Sequence, residues 1–482
     1  MPFKDLRDYI KYLEKRGLIR EVETEVDLNL EVAEIARRVI LKQGPTLLFK
    51  NVKGYHGWRL LTNLYPSLDR IKEILDTPSL EDIGKRLTAF LMEPPPTGII
   101  DKLEKLGEIV KFSNYMPKKS RSAKFLENVM DNASFSQLPI PKIWPKDGGK
   151  YITFGLVTLI DPIDRITNMG VYRIQIINEK KAAIHWQSHK RGNMTWMKAK
   201  DVGEKEVKVA IVIGSDPATT MTGVMPVPYP MDKLLFAGIL RGEGINVFEL
   251  ESGILVPSNA ELVIEGHVST NELLDEGPYG DHLGYYTPVD KYPAFYIEKI
   301  YHRNEPIYHF TVTGKPIMED GWLGKAVERI FLPIIKMIMP EVVDINLPPH
   351  GLFQGLGIVS IKKRYPGHGK KVMMGLWGLG QLSLTKILIV VDEDVNVHDI
   401  NHVIYALATC VDPQRDVLVI PNTHTDDLDH TSQGKAYGSK LGIDATKKMK
   451  QENYGREWPE MVEPDERIVK LVNEKWKDYN ID

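Results

Sequence analysis

Apolar positions recur near every third or fourth residue at Leu6, Ile10, Leu13 and Leu18, and Gly17 offers a stop, so the pattern predicts an amphipathic first helix. A strand-like segment, I-R-E-V-E-T-E-V over 19–26, follows it. Helical periodicity returns over 29–42, and T-L-L-F-K-N-V at 46–52 reads as a buried strand. Helix, strand, helix, strand describes a small α/β unit. Pro94, Pro95 and Pro96 then break any regular element and mark a linker.

A second punctuated stretch, L-P-I-P-K-I-W-P-K-D-G-G from Leu138 to Gly149, opens a region of different pattern. From Tyr151 to about Thr313 the chain runs in short β-rich segments separated by turn residues, which predicts a barrel or a sandwich. From Trp322 onward the pattern is mixed again. Residues 325–339 read as a helix with a kink at Pro333, and K-I-L-I-V-V-D at 386–392 as a buried strand. A helix over 398–410 and a strand at D-V-L-V-I-P, 416–421, complete a spacing that predicts a right-handed crossover in a mostly parallel sheet. At the end, Pro464 suits a first helical turn, and Ile468, Leu471, Val472 and Trp476 form an apolar stripe. Such a face must pack on something, and a partner subunit is one candidate.

A chain of 482 residues with 43% apolar content can bury a large core, and its length suggests roughly two to four domains. The single cysteine, Cys410, expected on a helix face, excludes an internal disulfide framework and a cysteine-rich zinc site. Net charge is −3 with acids and bases interspersed, so no overall field points to nucleic acid or to a membrane. The N-terminus lacks an apolar signal stretch and no long apolar run occurs, so a soluble cytoplasmic protein without a membrane span is expected. Glycine patterns at 355–357 and 375–380 lack the third glycine of a dinucleotide fingerprint. Asp392, Asp394 and Asn396 begin like a calcium loop, but Val397 and Val403 stand where glycine and glutamate are required.

Two stretches carry chemistry. Asp275 to Thr287, D-E-G-P-Y-G-D-H-L-G-Y-Y-T, sets Asp275, Glu276, Asp281 and His282 around a Gly-Pro turn. Pro278 fixes its own φ while Gly277 and Gly280 permit conformations that a Cβ forbids, so the turn can hold two carboxylates at a set separation. Carboxylates beside Tyr279, Tyr285 and Tyr286 lose solvation, which predicts raised pKa values and a proton donor near neutrality. The second stretch runs from Asn168 to Asn193. If 170–177 is one strand, Arg173 shares a face with Gln175 and can present its guanidinium to a carboxylate in bidentate form. Asn168 and His189 offer an oxygen and a nitrogen to a cation. Spacing alone also allows a turn of solvated acids, a turn asparagine, a histidine in a basic loop and a surface arginine pair.

The residues E-G-P-Y-G-D-H-x-G-Y-Y from Glu276, N-x-G-x-Y-R from Asn168 and S-H-x-x-G from Ser188 resemble the signatures of the UbiD family of decarboxylases, which use prenylated flavin mononucleotide (FMN). G-S-D-P-A-T-T at 214–220, V-M-P-V-P at 224–228, the run from Ile361 to Trp377 and G-S-K-L-G-I-D-A-T at 438–446 extend the likeness to nearly the whole chain. The resemblance implies a mixed α/β protein of three regions: an N-terminal α/β unit over 1–115, a central flavin-binding split β-barrel over 116–320, and a C-terminal α/β domain with an oligomerisation helix over 321–482. It implies that Arg173 grips the substrate carboxylate, that Glu276 pairs with Arg173, and that Asp281 protonates carbon. Tyr172, Arg173, Gln187, Ser188, Val224, Met225, Pro226 and Lys440 would meet the cofactor. Asn168 and His189 would hold a divalent metal, usually manganese, at its phosphate, and backbone groups of the loop matched by 214–220 and 224–228 a potassium ion.

One departure stands out. The family's third metal ligand is a glutamate, and Lys233 occupies its place. Either Asp232 reaches in by a local shift, or the lysine charge partly replaces the metal. The implied reaction is reversible, non-oxidative decarboxylation of an aromatic or α,β-unsaturated acid. Candidate substrates are a polyprenyl hydroxybenzoate, which needs an apolar channel, and trans-anhydromevalonate phosphate, which needs further basic groups such as Lys190 and Arg191. A flavin prenyltransferase would supply the cofactor, and a homodimer or higher homo-oligomer is expected. The rival readings are a non-catalytic flavin-binding or assembly subunit and an ordinary redox flavoprotein.

Overall fold

A computed structural model describes residues 3–92 and 113–481; the linker expected at Pro94 to Pro96 lies outside them. The first helix, Leu6–Lys15, starts where the Asp5 carboxylate accepts the Asp8 amide at 2.7 Å, and it buries the expected Leu6, Ile10 and Leu13 together with Tyr9. Strands Ile19–Val22 and Thr46–Phe49 run parallel, and Arg59–Thr62 adds antiparallel to the second. The fourth strand of this sheet, Ile307–His309, arrives from more than two hundred residues downstream and lies parallel to Arg59–Thr62. The N-terminal unit is thus completed by chain that has already traversed the barrel.

The β-rich middle forms a nine-stranded sheet whose spine is the antiparallel pair Leu262–Glu276 and Asp290–His302. Register shifts between Glu265 and Gly266 and between Val268 and Leu273 bend that pair, as bulges do. The single strand expected over 170–177 is two. Thr167–Val171 lies at one edge of the sheet, whereas Ile174–Ile176 pairs near the opposite edge. Only Tyr172 and Arg173 separate them in sequence, so the sheet curls until its edges meet at these two residues. A half-closed barrel results, and Arg173 sits on its seam.

The helix Glu319–Ile338 begins earlier than expected and continues through Pro333. The C-terminal sheet runs in the order Val342–Asn346, Leu356–Ile361, Ile387–Asp392, Tyr437–Asp444, Val417–His424. Its inner pairs are parallel and its outer pairs antiparallel. The expected crossover through helix Ile400–Cys410 is therefore not parallel: Val417–His424 pairs antiparallel to Tyr437–Asp444, which itself runs parallel to Ile387–Asp392. The parallel crossover is the preceding one, from Leu356–Ile361 through helix His368–Trp377 to Ile387–Asp392. Terminal helix Glu466–Lys475 is capped by Asp465, with Pro464 just ahead of the cap, and buries none of its residues. Among the described residues no helix is long and apolar enough to cross a membrane.

Candidate active site

The motif turn is clamped from behind. Glu276 ends the long strand Leu262–Glu276, Gly277 turns the chain at φ +107°, and Tyr279–Gly280 pairs with Tyr286–Thr287 as a short hairpin. The punctuated stretch before the barrel supplies the clamp: the Asp147 carboxylate accepts the Gly280 amide at 2.9 Å, and the Gly148 amide donates to the Pro278 carbonyl at 2.8 Å. A Cβ on Gly280 would lie 2.2 Å from the Trp144 ring, itself fixed by a 2.9 Å hydrogen bond from Nε1 to the Thr313 carbonyl. Gln175 closes the other side, its Oε1 accepting the Gly277 amide at 2.6 Å.

Arg173 reaches this turn from the barrel seam. Its Nε and Nη2 donate to the two oxygens of Glu276 at 2.8 and 2.9 Å, the bidentate pair that the sequence allows. Nη1 donates to Asp281 Oδ2 and Nη2 also to Thr287 Oγ1, while the guanidinium lies 4.7 Å from the Tyr279 ring centre. One cation thus holds both motif carboxylates.

The raised carboxylate pKa values expected from the tyrosines do not hold here. Burial pushes Glu276 up, but the Arg173 charge and the His185 hydrogen bond outweigh it and hold the group at about 2. Burial likewise pushes Asp281 up, and Arg173 and His282 bring it well below the ordinary carboxylate range. Tyr285 and Tyr286 are exposed, whereas Tyr279 is buried with its ring against the Arg173 guanidinium. Both carboxylates are ionised at neutral pH.

Two histidines complete the network. His185, which the sequence reading passed over, places Nδ1 2.9 Å from Glu276 Oε2 and Nε2 3.4 Å from the Tyr292 hydroxyl. Burial, then the Arg173 charge, lowers its pKa, so the neutral ring donates from Nδ1 and accepts on Nε2. His282 Nδ1 stands 2.9 Å from Asp281 Oδ1; burial opposes its charge, but the bond to Asp281 lifts it to about 9.

Arg173, His185 and Asp281 line a cleft of about 340 Å³, walled opposite by Asp427, His430 and Lys435 from the loop joining the last two strands of the C-terminal sheet. The same loop meets the second stretch: Ser188 Oγ donates to Asp427 Oδ2 at 3.2 Å and Gln187 Nε2 to Asp426 Oδ1 at 3.4 Å. Asn168 is buried with Nδ2 unpartnered, as are both ring nitrogens of His189. Burial, then Lys190, pushes His189 down to about 4. Tyr172 Oη accepts the Gly192 amide at 3.1 Å. Met225 is buried, with Val224 and Pro226 half-buried beside it. Lys440 hydrogen-bonds within its own domain, to the Ser383 and Thr385 carbonyls at 2.5 and 3.1 Å, rather than toward Asn168 and His189.

Asp232 does not make the local shift toward a metal. Its Oδ1 accepts the Leu234 amide at 2.7 Å as a helix N-cap, and its Oδ2 accepts the Thr167 amide at 2.8 Å. Lys233 donates to the Thr222 and Met225 carbonyls at 3.0 and 2.5 Å, backbone oxygens of the loop to which the resemblance assigned potassium. Among the described residues no group of three His, Cys, Asp or Glu side chains converges as a metal site would require. The residues present do not fit a divalent metal.

Family models named for 3-octaprenyl-4-hydroxybenzoate carboxy-lyase match the chain three times: the N-terminal domain at 10–87, the Rift-related domain at 117–316 and the C-terminal domain at 321–445. The chain belongs to the UbiD family. Members of that family are carboxy-lyases, and this chain is a UbiD-like carboxy-lyase. Among its UbiD relatives, an uncharacterised protein of Aeropyrum pernix is 52% identical over 100% of both chains, and one of Archaeoglobus fulgidus 46% identical over 99% of both. Vanillic acid decarboxylase of Sedimentibacter hydroxybenzoicus in its closed form is similar with a TM-score of 0.86, 28% identity and 100% of each chain covered. Its open form gives 0.76, with 99% of this chain and 100% of that one covered. The UbiD-class enzyme HmfF of Pelotomaculum thermopropionicum, solved with FMN, gives 0.77 at 25% identity over 97% of this chain and 99% of its own. The better match to the closed UbiD form accords with a cleft walled here by both the barrel and the C-terminal domain.

Proposed function

We propose that this protein is a prenylated-FMN-dependent, reversible, non-oxidative decarboxylase of an α,β-unsaturated or aromatic carboxylic acid. The observation that carries the reading is Arg173, buried on the barrel seam, gripped in bidentate form by Glu276 and touching Asp281 at the wall of a cleft. Family membership and the solved HmfF complex with FMN support the cofactor. The unpartnered Asn168 Nδ2 and His189 nitrogens, with Lys190, Arg191 and Lys233 nearby, fit an anionic, hydrogen-bonding group such as a flavin phosphate. When bound, prenylated FMN supplies the sink for the electrons left as carbon dioxide departs.

Every other role falls to this chain. Arg173 orients the substrate carboxylate, and Glu276, itself held by His185, keeps the guanidinium in place. A carboxylate arriving at Arg173 competes with Asp281 for Nη1. Asp281 then loses part of the charge that depresses its pKa and becomes able to carry a proton to carbon. The cleft lining sets Leu283, Pro288, Val289 and Leu428 beside Arg173, Lys435 and four aspartates, so its charge does not select a phosphate-bearing acid such as trans-anhydromevalonate phosphate over a polyprenyl hydroxybenzoate. Lys435, the lysine of this lining, is paired with Asp290.

The reading is tested by co-expression with a flavin prenyltransferase, mass spectrometry of the released cofactor and a screen of unsaturated acids for carbon dioxide release. Asp281→Asn should retain the cofactor and lose ~10²- to 10⁴-fold in turnover. Near-normal turnover removes Asp281 from the mechanism, and a soluble chain without flavin favours a non-catalytic assembly subunit. The exposed stripe of Ile468, Leu471 and Trp476 supports a homo-oligomer; a monomer by light scattering would remove that part of the reading.

A further inference from the structure

Lys233 is only 4% exposed, and a lysine that buried normally has a carboxylate beside it. Its Nζ instead meets two neutral acceptors, the carbonyls of Thr222 and Met225 at 3.0 and 2.5 Å. Burial, then the charges of Arg191 and Lys190, push its pKa well down, so the protonated form, whose third N–H has no acceptor among the described residues, is completed by an arriving anion. Lys190 and Arg191 stand close enough for their charges to act on it, and Arg191 too spends an N–H on a neutral acceptor, the Met231 carbonyl at 3.1 Å. Among the described residues none of these three cations forms an ion pair with an acid. Such a cluster is a site for an anion.

The neighbouring groups agree. The Thr167 amide is bonded to the Asp232 carboxylate at 2.8 Å, so Asn168 and Lys233 flank a single hydrogen bond. Asn168 is 2% exposed with its Nδ2 unpartnered, and His189 has two unpartnered ring nitrogens. These groups donate to an anion as readily as they serve a metal. The carboxylate beside His189, Asp427 with Oδ1 3.9 Å from Nδ1, is already shared with Ser188, so a hard divalent cation would find no second free acid among the described residues and would meet Lys233. The Asp232 oxygens, the nearest acidic atoms in sequence, are taken by backbone amides.

We propose that this chain anchors the phosphate of its flavin without a divalent metal, Lys233 supplying the positive charge that a bound cation would otherwise bring. The proposal rests on the flavin reading above. Lys233 also ties the first turn of its helix to the segment that carries Val224 and Met225, so one side chain joins the anion to the flavin loop.

The first arm of the test needs no flavin. The apo chain is titrated with Mn²⁺ and the free ion followed by electron paramagnetic resonance. Wild type should leave the ion free, whereas Lys233→Glu should take up one equivalent that a second change, His189→Ala, abolishes. Uptake of one equivalent by wild type, lost in His189→Ala, would overturn the proposal. So would refusal of Mn²⁺ by Lys233→Glu when its circular dichroism matches wild type.

The second arm measures binding of FMN, with riboflavin as the phosphate-free control, by flavin fluorescence with and without EDTA. Wild type should prefer FMN about tenfold or more, as a charge-assisted contact to phosphate predicts, and EDTA should change nothing. Lys233→Met should lose that preference, and Lys233→Glu should regain it only with Mn²⁺, a response that a purely structural lysine would not produce. EDTA-sensitive FMN binding by wild type would overturn the proposal. If wild type binds neither flavin while the manganese arm behaves as expected, the flavin reading fails and the metal-free site stands.

Discussion

His282 offers a direct test of the electrostatics around Asp281. The ring is buried, its Nδ1 lies 2.9 Å from Asp281 Oδ1, and it stacks on Phe353 with centroids 5.3 Å apart. Burial disfavours the imidazolium, but Asp281 raises its pKa from the ordinary 6.5 to about 9. A pKa raised by folding contributes stability that is fully present below 6.5 and disappears as pH rises through about 9. At ~1.4 kcal/mol per pH unit, that interval corresponds to ~3 kcal/mol. His282→Gln keeps an amide donor for Asp281 and removes the charge. At pH 6 the variant should therefore be less stable by ~2–3 kcal/mol, with the gap closing between pH 7 and 9.5. Urea unfolding at several pH values, followed by tryptophan fluorescence and far-ultraviolet circular dichroism together, measures it and checks that one transition is being observed. A gap that stays constant with pH, or widens toward alkali, would refute the reasoning.

Glu276→Gln leaves buried Arg173 with one carboxylate, which should cost ~3–5 kcal/mol at pH 7. Because folding depresses the Glu276 pKa from 4.5 to about 2, the contribution is present above 4.5 and fades as pH falls toward 2, so the difference in unfolding midpoint should shrink in acid. Gly280→Ala puts a Cβ 2.2 Å from the fixed Trp144 ring and should cost ~1–3 kcal/mol while displacing Asp281, seen as a lower melting temperature and reduced turnover. Binding of an unreactive carboxylate at Arg173 brings a third anion to one cation, so calorimetry near pH 6 in buffers of different ionisation enthalpy should register proton uptake; none would argue against competition for Nη1.

Much of the fold was legible because each element follows a local rule. The first helix shows its apolar stripe in the sequence, and the β-rich middle shows its short apolar runs. What stayed hidden depends on pairing between distant segments. Nothing local in Val417–His424 reveals that it lies outside Tyr437–Asp444, and nothing in V-Y-R-I-Q-I reveals that the sheet breaks at Tyr172 and Arg173 to meet its own far edge. Of the site, the Arg173 and Glu276 pair was legible from the family resemblance; strand alternation could not supply it, because Arg173 lies between two strands and on neither. His185 was not, since one histidine in a basic stretch carries no sign of the carboxylate it will meet 91 residues later.

The misjudged carboxylate pKa values show why composition near a motif is a weak guide to its chemistry. Tyrosines beside Glu276 and Asp281 suggested desolvation, and both groups are indeed buried. Burial sets the size of every electrostatic effect in the pocket without setting its sign, because a low-dielectric setting strengthens attraction to Arg173 as much as it penalises bare charge. With the cation in contact, attraction wins, and the resting site holds two ionised acids on one guanidinium. A site in that state does not waste a proton on an empty cleft. A ligand that draws Arg173 away from Asp281 removes one of the two cations that depress the acid, His282 being the other, so under the proposed function substrate carboxylate binding would itself raise the affinity of Asp281 for a proton.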